Sequence, residues 1–185
     1  DRANALLDAV QTLHEENTRN DSPVYQKIDV SKISVGGHSM GGGGAQIAAT
    51  IDNSLKSVIS LNPWIQQSVV DYDYLNHPVP LLVISGQDDT VAIVDNHANI
   101  HYDYTPNTTP KAIYEIENGN HSTGRFPSTA NNYVGKIVLS WLNYFADDND
   151  CYFPLLLEYP EQASIYQNNL ETFSFNDNQY SLINF

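Results

Sequence analysis

The sequence predicts an α/β fold, with a mostly parallel sheet and helices on both of its faces. Short apolar runs typical of buried strands alternate along the chain with apolar stripes at helical spacing. Reactive side chains follow three of those runs: Ser39, Asp88/Asp89 and His121. Parallel sheets collect such residues at the carboxyl ends of their strands. The chain has 185 residues, which is enough for one domain with its own core.

The first predicted element is a helix, because Leu6, Leu7, Val10 and Leu13 recur at helical spacing. Four strands are expected from short apolar runs bounded by turn-forming residues: Ile33–Val35, Val58–Leu61, Leu81–Ser85 and Ala112–Ile116. Further helices are expected from Ser39 to Ile51, from Val94 to Tyr102 and from Tyr133 to Phe145. We expect one catalytic domain over residues 1–157 and a Tyr/Asn-rich C-terminal tail over residues 158–185.

Composition excludes several classes of partner. The formal net charge is -14 with only 8 Lys and Arg residues, which argues against nucleic acid or an anionic membrane. No apolar run approaches the ~20 residues that span a bilayer. Cys151 is the only cysteine, so no disulfide forms within the chain. Asp147, Asp148 and Asp150 could coordinate calcium, but acidic residues after a helix are usually solvated, so neither a metal nor a cofactor is expected.

The stretch Gly37-His38-Ser39-Met40-Gly41 matches the pattern G-x-S-x-G between a predicted strand and a predicted helix. In that pattern a sharp turn exposes a strained serine, here Ser39, at the N-terminus of the helix. We expect a Cβ atom at either flanking glycine to collide with neighbouring backbone. Gly41 to Gly44 are consecutive, which disfavours a helix by roughly 1 kcal/mol per glycine and so indicates close backbone approach.

A serine nucleophile needs a histidine base that a carboxylate orients. His121 is the best candidate, because it lies in the loop after the last predicted strand. Asp88 and Asp89 are both candidates for the acid, and their positions alone do not separate them. His38 should point away from Ser39, because neighbours in a tight turn diverge. The remaining histidines are expected to be structural or solvated: His14, His77, His97 and His101.

Several segments together resemble the bacterial cutinases and poly(ethylene terephthalate) hydrolases, an α/β-hydrolase family. The segments are Gly37–Gly44, Asn62-Pro-Trp64, Val79–Ile84, Asp89-Thr-Val-Ala92, Gly119-Asn-His121 and Ser140-Trp-Leu142. The resemblance covers residues 1 to about 152.

The resemblance implies a secreted serine ester hydrolase with Ser39 as nucleophile, His121 as base and Asp89 as the acid. It also implies that the Met40 backbone N–H is an oxyanion donor and that Trp64 stacks on the substrate. His38 and Ser122 are expected to contact the substrate as well. Ser122 departs from the aromatic residue that many actinobacterial cutinases carry, and the cysteine pair common in those cutinases is missing.

The family has further strands before the first helix found here, and its second oxyanion donor lies among them. We therefore expect these residues to be the C-terminal part of a longer protein. Upstream strands or another molecule should cover the edge at Ile33–Val35.

Three functions are left open. The leading one is hydrolysis of polyesters or hydrophobic esters. The same triad would serve a serine peptidase, amidase or lipase, because it does not distinguish acyl donors. A catalytically incomplete fragment or binding module is the third.

Overall fold

The computed structural model describes residues 1–66 and 72–173. Its helices are α1 (Arg2–Thr18), α2 (Met40–Ile51), α3 (Ala98–Tyr104), α4 (Tyr133–Phe145) and α5 (Phe153–Leu157). Its strands are β1 (Val35–His38), β2 (Val58–Leu61), β3 (Leu81–Gly86), β4 (Lys111–Ile116) and β5 (Ala163–Asn168). Short 3₁₀ turns lie at Tyr72–Leu75, Val94–Asn96, Thr123–Arg125, Asp150–Tyr152 and Leu170–Phe173.

The strands form one sheet in the order β1-β2-β3-β4-β5, with β1 to β4 parallel and β5 antiparallel to β4. The α/β class predicted from the sequence is confirmed. The expected number of four strands is wrong, because β5 lies within the segment predicted as a tail. That strand is half-buried and mixes apolar with polar residues, so no apolar run marks it. The division after residue 157 stays a prediction, and residues 174–185 lie outside the described residues.

Alternate side chains of the buried strands supply two apolar cores. Leu82, Ile84, Ala112 and Tyr114 face α4 and α5, where Trp141 and Leu156 complete one core. Leu81, Val83 and Ile113 pack on the opposite face, against Ala45 and Ala49 of α2 and Ala98 of α3. Helices therefore cover both faces of the sheet, as the alternation of patterns predicts.

The bounds of the first strand differ from the sequence prediction. The first strand begins at Val35 and continues through Gly36 and Gly37 to His38, because those glycines pair with Ile59 and Ser60 of β2. The opening helix begins at Arg2 and is capped by Asp1, whose side chain accepts the Asn4 N–H at 2.9 Å. Leu6, Leu7 and Val10 pack on the core, whereas Leu13 is 41% exposed.

Parallel strands end at one edge of the sheet, and four loops meet there. They follow β1, β2, β3 and β4 and carry Ser39, Asn62, Asp89 and His121 respectively. Within residues 1–66 and 72–173, no helix has the length and hydropathy that crossing a membrane requires.

Candidate active site

Ser39 lies at the junction between β1 and α2 with φ 58° and ψ -125°, a conformation that L residues rarely adopt. Its backbone N–H donates to Leu61 O at 2.9 Å. Its carbonyl oxygen accepts the N–H groups of Gly42 and Trp64, each at 2.9 Å. These bonds hold the strained turn in place and leave the serine side chain at the start of α2.

The glycines around Ser39 are needed for different reasons. A Cβ on Gly37 would lie 2.5 Å from the Gly41 carbonyl carbon, so no side chain fits there. A Cβ on Gly41 would meet nothing within 4 Å, so the expectation of a collision at that glycine is wrong. Gly43 packs against the Trp64 carbonyl, and a Cβ on Gly44 would lie 2.7 Å from Arg2 Cβ. The close backbone approach predicted from the glycine run is confirmed for these two positions.

The structure brings Ser39, His121 and Asp89 together. His121 Nε2 lies 3.0 Å from Ser39 Oγ, and His121 Nδ1 lies 2.8 Å from Asp89 Oδ2. An ionised carboxylate only accepts, so Nδ1 carries the proton and Nε2 is free to accept the serine hydroxyl proton. Asp88 is exposed, and its N–H donates to Gly119 O. The loop thus directs Asp89, and not its neighbour, to the histidine.

Asp89 is held as a carboxylate. Burial by itself raises the pKa of the Asp89 carboxyl, but hydrogen bonds from His121, the N–H groups of Ala92 and Val91, and Asn62 outweigh it, and the pKa falls below its usual value. Both backbone N–H groups donate to Oδ1 at 2.8 Å. The negative charge that stabilises an imidazolium is therefore present at neutral pH.

His38 turns toward the histidine loop, and the expectation that it points away from Ser39 stays a prediction. Its Nε2 lies 2.6 Å from the backbone carbonyl oxygen of His121, and the two imidazole rings are 4.7 Å apart. Ser122 is half-buried beside His121, and its N–H donates to Asn120 Oδ1 at 2.9 Å. The substrate contacts predicted for these two residues stay predictions.

Trp64 is half-buried, and its ring stacks on His97 with centroids 5.6 Å apart. Together with Met40, which is 44% exposed, it lines a cavity of about 320 Å³. Met40 is the first residue of α2, so its backbone N–H belongs to the unpaired first turn of that helix. The oxyanion role of Met40 stays a prediction.

Three of the other histidines are buried and lie near one another. His97 Nδ1 accepts the Ile65 N–H at 3.0 Å, and burial lowers the pKa of His97. His101 is fully buried against Gln46, and burial lowers the pKa of His101 to about 3. Burial likewise lowers the pKa of His77 to about 4. All three rings are neutral at neutral pH, as expected for structural histidines.

Within residues 1–66 and 72–173, no group of three or more His, Cys, Asp or Glu side chains could hold a metal ion. Asp147, Asp148 and Asp150 are exposed, and Asp147 pairs with Lys32 at 3.1 Å. Cys151 is exposed and carries a free thiol.

Pattern reasoning missed Asn62 as a site residue. This buried asparagine follows β2 and contacts Asp89. Its signal in the sequence is a polar side chain directly after a buried strand, a pattern that an ordinary strand end also shows.

The chain is similar to known ester hydrolases. The family described as PETase, PET hydrolase-like, matches residues 1–174. A bis(hydroxyethyl) terephthalate hydrolase of Streptomyces coelicolor is 37% identical over 142 residues, which is 77% of this chain and 44% of the relative. Cutinase est1 of Thermobifida alba is 34% identical over 157 residues, 85% of this chain and 49% of the relative. A cutinase of Thermobifida fusca is 34% identical over 145 residues, 78% of this chain and 46% of the relative. The chain spans about half the length of these curated relatives.

Proposed function

The chain belongs to the PET hydrolase-like family, and from this premise we propose that it is the triad-bearing part of a serine ester hydrolase acting on polyesters or hydrophobic esters. One observation carries the proposal. Ser39, His121 and Asp89 are linked by hydrogen bonds of 3.0 and 2.8 Å in the order that nucleophilic acyl transfer requires.

In the first half of the reaction, Ser39 Oγ attacks the ester carbonyl carbon while its proton moves to His121 Nε2. Asp89 stabilises the imidazolium that forms. The tetrahedral intermediate places its negative oxygen toward the N-terminus of α2, where the Met40 N–H donates to it. The carbon–oxygen bond to the leaving alcohol then breaks, and that alcohol takes the proton from His121.

In the second half, water attacks the acyl-serine ester. His121 Nε2 accepts the proton of that water and returns it to Ser39 Oγ as the acid is released. Ser39, His121 and Asp89 then have the protonation states with which the reaction began. The strained turn between β1 and α2 holds the Ser39 hydroxyl at the same place in both halves.

A hydrophobic acyl donor fits the surroundings of the triad. Met40 is 44% exposed and Val91, two residues after the acid, is 58% exposed, so apolar surface lies beside the reacting groups in the chain. Trp64 would add a ring face for an aromatic acyl group. His38 and Ser122 would form the cleft wall next to His121. The relatives named as a terephthalate ester hydrolase and as cutinases support this substrate class.

The edge of the sheet supports a further proposal about partners. Within the described residues, β1 pairs with β2 alone, so its other edge has no neighbouring strand. We infer that upstream strands of a longer chain pair along β1 and that a loop among them supplies the second oxyanion donor. Losing such a donor lowers kcat about 10²–10³-fold. Comparing turnover of these 185 residues with that of a chain extended upstream tests the inference, and equal turnover would contradict it.

The proposed reaction is tested by hydrolysis of short and long p-nitrophenyl esters, polyester films and a peptide p-nitroanilide, each with the wild type and with Ser39→Ala. Ester hydrolysis is expected, and the substitution should lower it by at least about a thousandfold without changing the melting temperature. Hydrolysis of the anilide at a comparable kcat/KM would favour a peptidase or amidase instead. Turnover that survives Ser39→Ala would rule out this nucleophile.

Secretion is also proposed from the family resemblance. Fractionating a culture that expresses the natural gene tests it, and retention of all esterase protein inside the cells would contradict it.

A further inference from the structure

Asn62 occupies an unusual place at the end of β2. It is fully buried, with a relative exposure of 0%, and its backbone is left-handed with φ 41°. Asparagine tolerates that conformation better than most residues, but burying its amide is unfavourable unless every polar atom is satisfied. The backbone N–H of Asn62 donates to Ile84 O at 2.6 Å, so the residue is bound into the sheet edge between the loops of the triad.

The side-chain amide of Asn62 makes three hydrogen bonds. Its Nδ2 donates to Asp89 Oδ2 at 3.1 Å and to the Asn120 carbonyl oxygen at 3.2 Å. Its Oδ1 accepts the Gly124 N–H at 2.9 Å. The orientation of the amide is dictated by its partners, because a carboxylate and a carbonyl oxygen can only accept and a backbone N–H can only donate.

Two of these partners lie on either side of His121. Asn120 precedes the histidine, and Gly124 follows it by three residues. Contact with the loop is close, since a Cβ on Gly124 would lie 2.7 Å from Asn62 Oδ1. One amide therefore holds the acid and both flanks of the loop that carries the base.

The bond to Asp89 completes the set of donors around that carboxylate. Oδ1 accepts two backbone N–H groups of its own loop, whereas Oδ2 accepts only from His121 and Asn62 among the hydrogen bonds described. Asn62 is thus the partner that fixes Oδ2 independently of the histidine. Without it, Oδ2 would be held by His121 alone, and the histidine loop would lose the two hydrogen bonds that join it to the end of β2.

We propose that Asn62 is a positioning residue for hydrolysis, which sets the geometry of the Asp89–His121 pair by holding both the carboxylate and the histidine loop. This inference rests on the proposed function, because it concerns the same site. Asn62 does not contact Ser39 or the substrate in this role. It acts through Asp89 and His121.

Two substitutions of Asn62 remove different sets of its hydrogen bonds. Asn62→Gly keeps the left-handed backbone without strain and removes all three side-chain bonds. Asn62→Asp is nearly isosteric and keeps an acceptor for Gly124, but it replaces the donor to Asp89 with a second carboxylate. Asn118→Gly is the matched control, because Asn118 is also left-handed, with φ 53°, but exposed on the turn before the histidine loop.

The first measurement is ester hydrolysis at saturating and limiting substrate. A lost hydrogen bond to a charged group predicts that kcat falls about 10- to 100-fold in both Asn62 variants, with KM changed less than about twofold. Asn118→Gly should keep wild-type kcat. An unchanged kcat in either folded Asn62 variant, or a loss confined to KM, would overturn the proposal.

The second measurement does not depend on turnover. The Nδ1 proton in the His121–Asp89 hydrogen bond should give a far-downfield proton NMR signal, whose shift reports the geometry of that bond. The signal should move or broaden in Asn62→Gly and Asn62→Asp and stay in place in Asn118→Gly. An unmoved signal with a lowered melting temperature would show Asn62 to be structural only. If Asn62→Gly does not fold, the isosteric Asn62→Asp decides by the same criteria.

Failure of the two proposals can be told apart. A wild-type protein without hydrolysis that depends on Ser39 contradicts the proposed function, and the NMR comparison still decides whether Asn62 positions the pair. An active wild type with unaffected Asn62 variants contradicts only the positioning role.

Discussion

His38 Nε2 donates to the backbone carbonyl oxygen of His121 over 2.6 Å. A carbonyl oxygen only accepts, so Nε2 carries a proton in this contact. The residue before the nucleophile therefore restrains the backbone of the base. The same contact links the turn after β1 to the loop after β4, which are the two segments that have to stay 3.0 Å apart at their reacting atoms.

His38→Phe keeps a ring of similar size and removes this donor. We expect kcat to fall by about tenfold at most, since a neutral hydrogen bond contributes about 0.5–1.5 kcal/mol. His38→Gln retains an N–H donor and should recover most of that loss. Steady-state kinetics on a short p-nitrophenyl ester measure both variants. A kcat that is lower for His38→Gln than for His38→Phe would show that the ring, and not the donor, matters.

Asp89→Asn should lower kcat by several powers of ten, by analogy with the roughly 10⁴-fold loss for the same change in a serine protease triad. The neutral amide that replaces the Asp89 carboxylate carries no negative charge, and its NH2 group cannot accept the proton on His121 Nδ1. Asp88→Asn should stay within about threefold of the wild type, because Asp88 is exposed and only its backbone contacts the histidine loop. Kinetics of the two single variants provide the comparison. A larger loss at Asp88 would exclude Asp89 as the acid.

Trp64→Ala should impair aromatic esters more than short aliphatic ones. A ring contact adds ~0.5–1.5 kcal/mol beyond area burial, so the selective loss in kcat/KM is about tenfold at most. Thermal unfolding has to accompany the kinetics, because Trp64 also stacks on His97. A uniform loss on all esters together with a lower melting temperature would assign Trp64 to the core.

Gly37→Ala should destabilise the fold by about 1–3 kcal/mol, since the new methyl group meets backbone atoms that cannot move freely. Gly41→Ala is the control and should be neutral or stabilising by up to about 1 kcal/mol, because its methyl group points into open space and alanine favours the helix. Urea unfolding measures both. Equal stability of the two variants would contradict the assigned collision.

Stability should fall in acid because of His101. Its pKa is lowered from 6.5 to about 3 by burial, so folding favours the neutral ring, and the unfolded chain binds the proton first. The contribution of the neutral His101 ring to the free energy of unfolding is complete above pH 6.5. It declines by about 1.4 kcal/mol per pH unit as the pH falls toward the pKa of His101 in the folded protein. The groups that act on it electrostatically are His97 and His77.

His101→Phe removes this contribution. The difference in unfolding free energy between pH 7 and pH 5 should shrink by about 2 kcal/mol, whatever the variant does to stability at either pH. Urea titrations at the two pH values test this. If the difference between the two pH values were the same in His101→Phe as in the wild type, His101 would not be the group that titrates.

The sequence by itself was enough to predict the fold class and to indicate Ser39 and His121 as two members of the proposed triad. Alternating strand and helix patterns predict the parallel sheet, and G-x-S-x-G between a strand and a helix marks Ser39, since that backbone turn needs particular residues at particular positions. His121 follows the last parallel strand, where reactive loops gather. The choice of Asp89 depends on the family resemblance, because a sequence pattern alone does not distinguish two adjacent aspartates.

Only the tertiary structure decided the rest, because those features depend on contacts between segments far apart in the chain. The strand β5 has no apolar run and is stabilised by its pairing with β4. Whether Gly37 or Gly41 is short of space depends on where the backbone of α2 lies relative to β1. Asn62 meets Asp89, Asn120 and Gly124 only after three loops converge at one edge of the sheet. No local pattern encodes that meeting, since each hydrogen bond joins residues that the sequence keeps 27 or more positions apart.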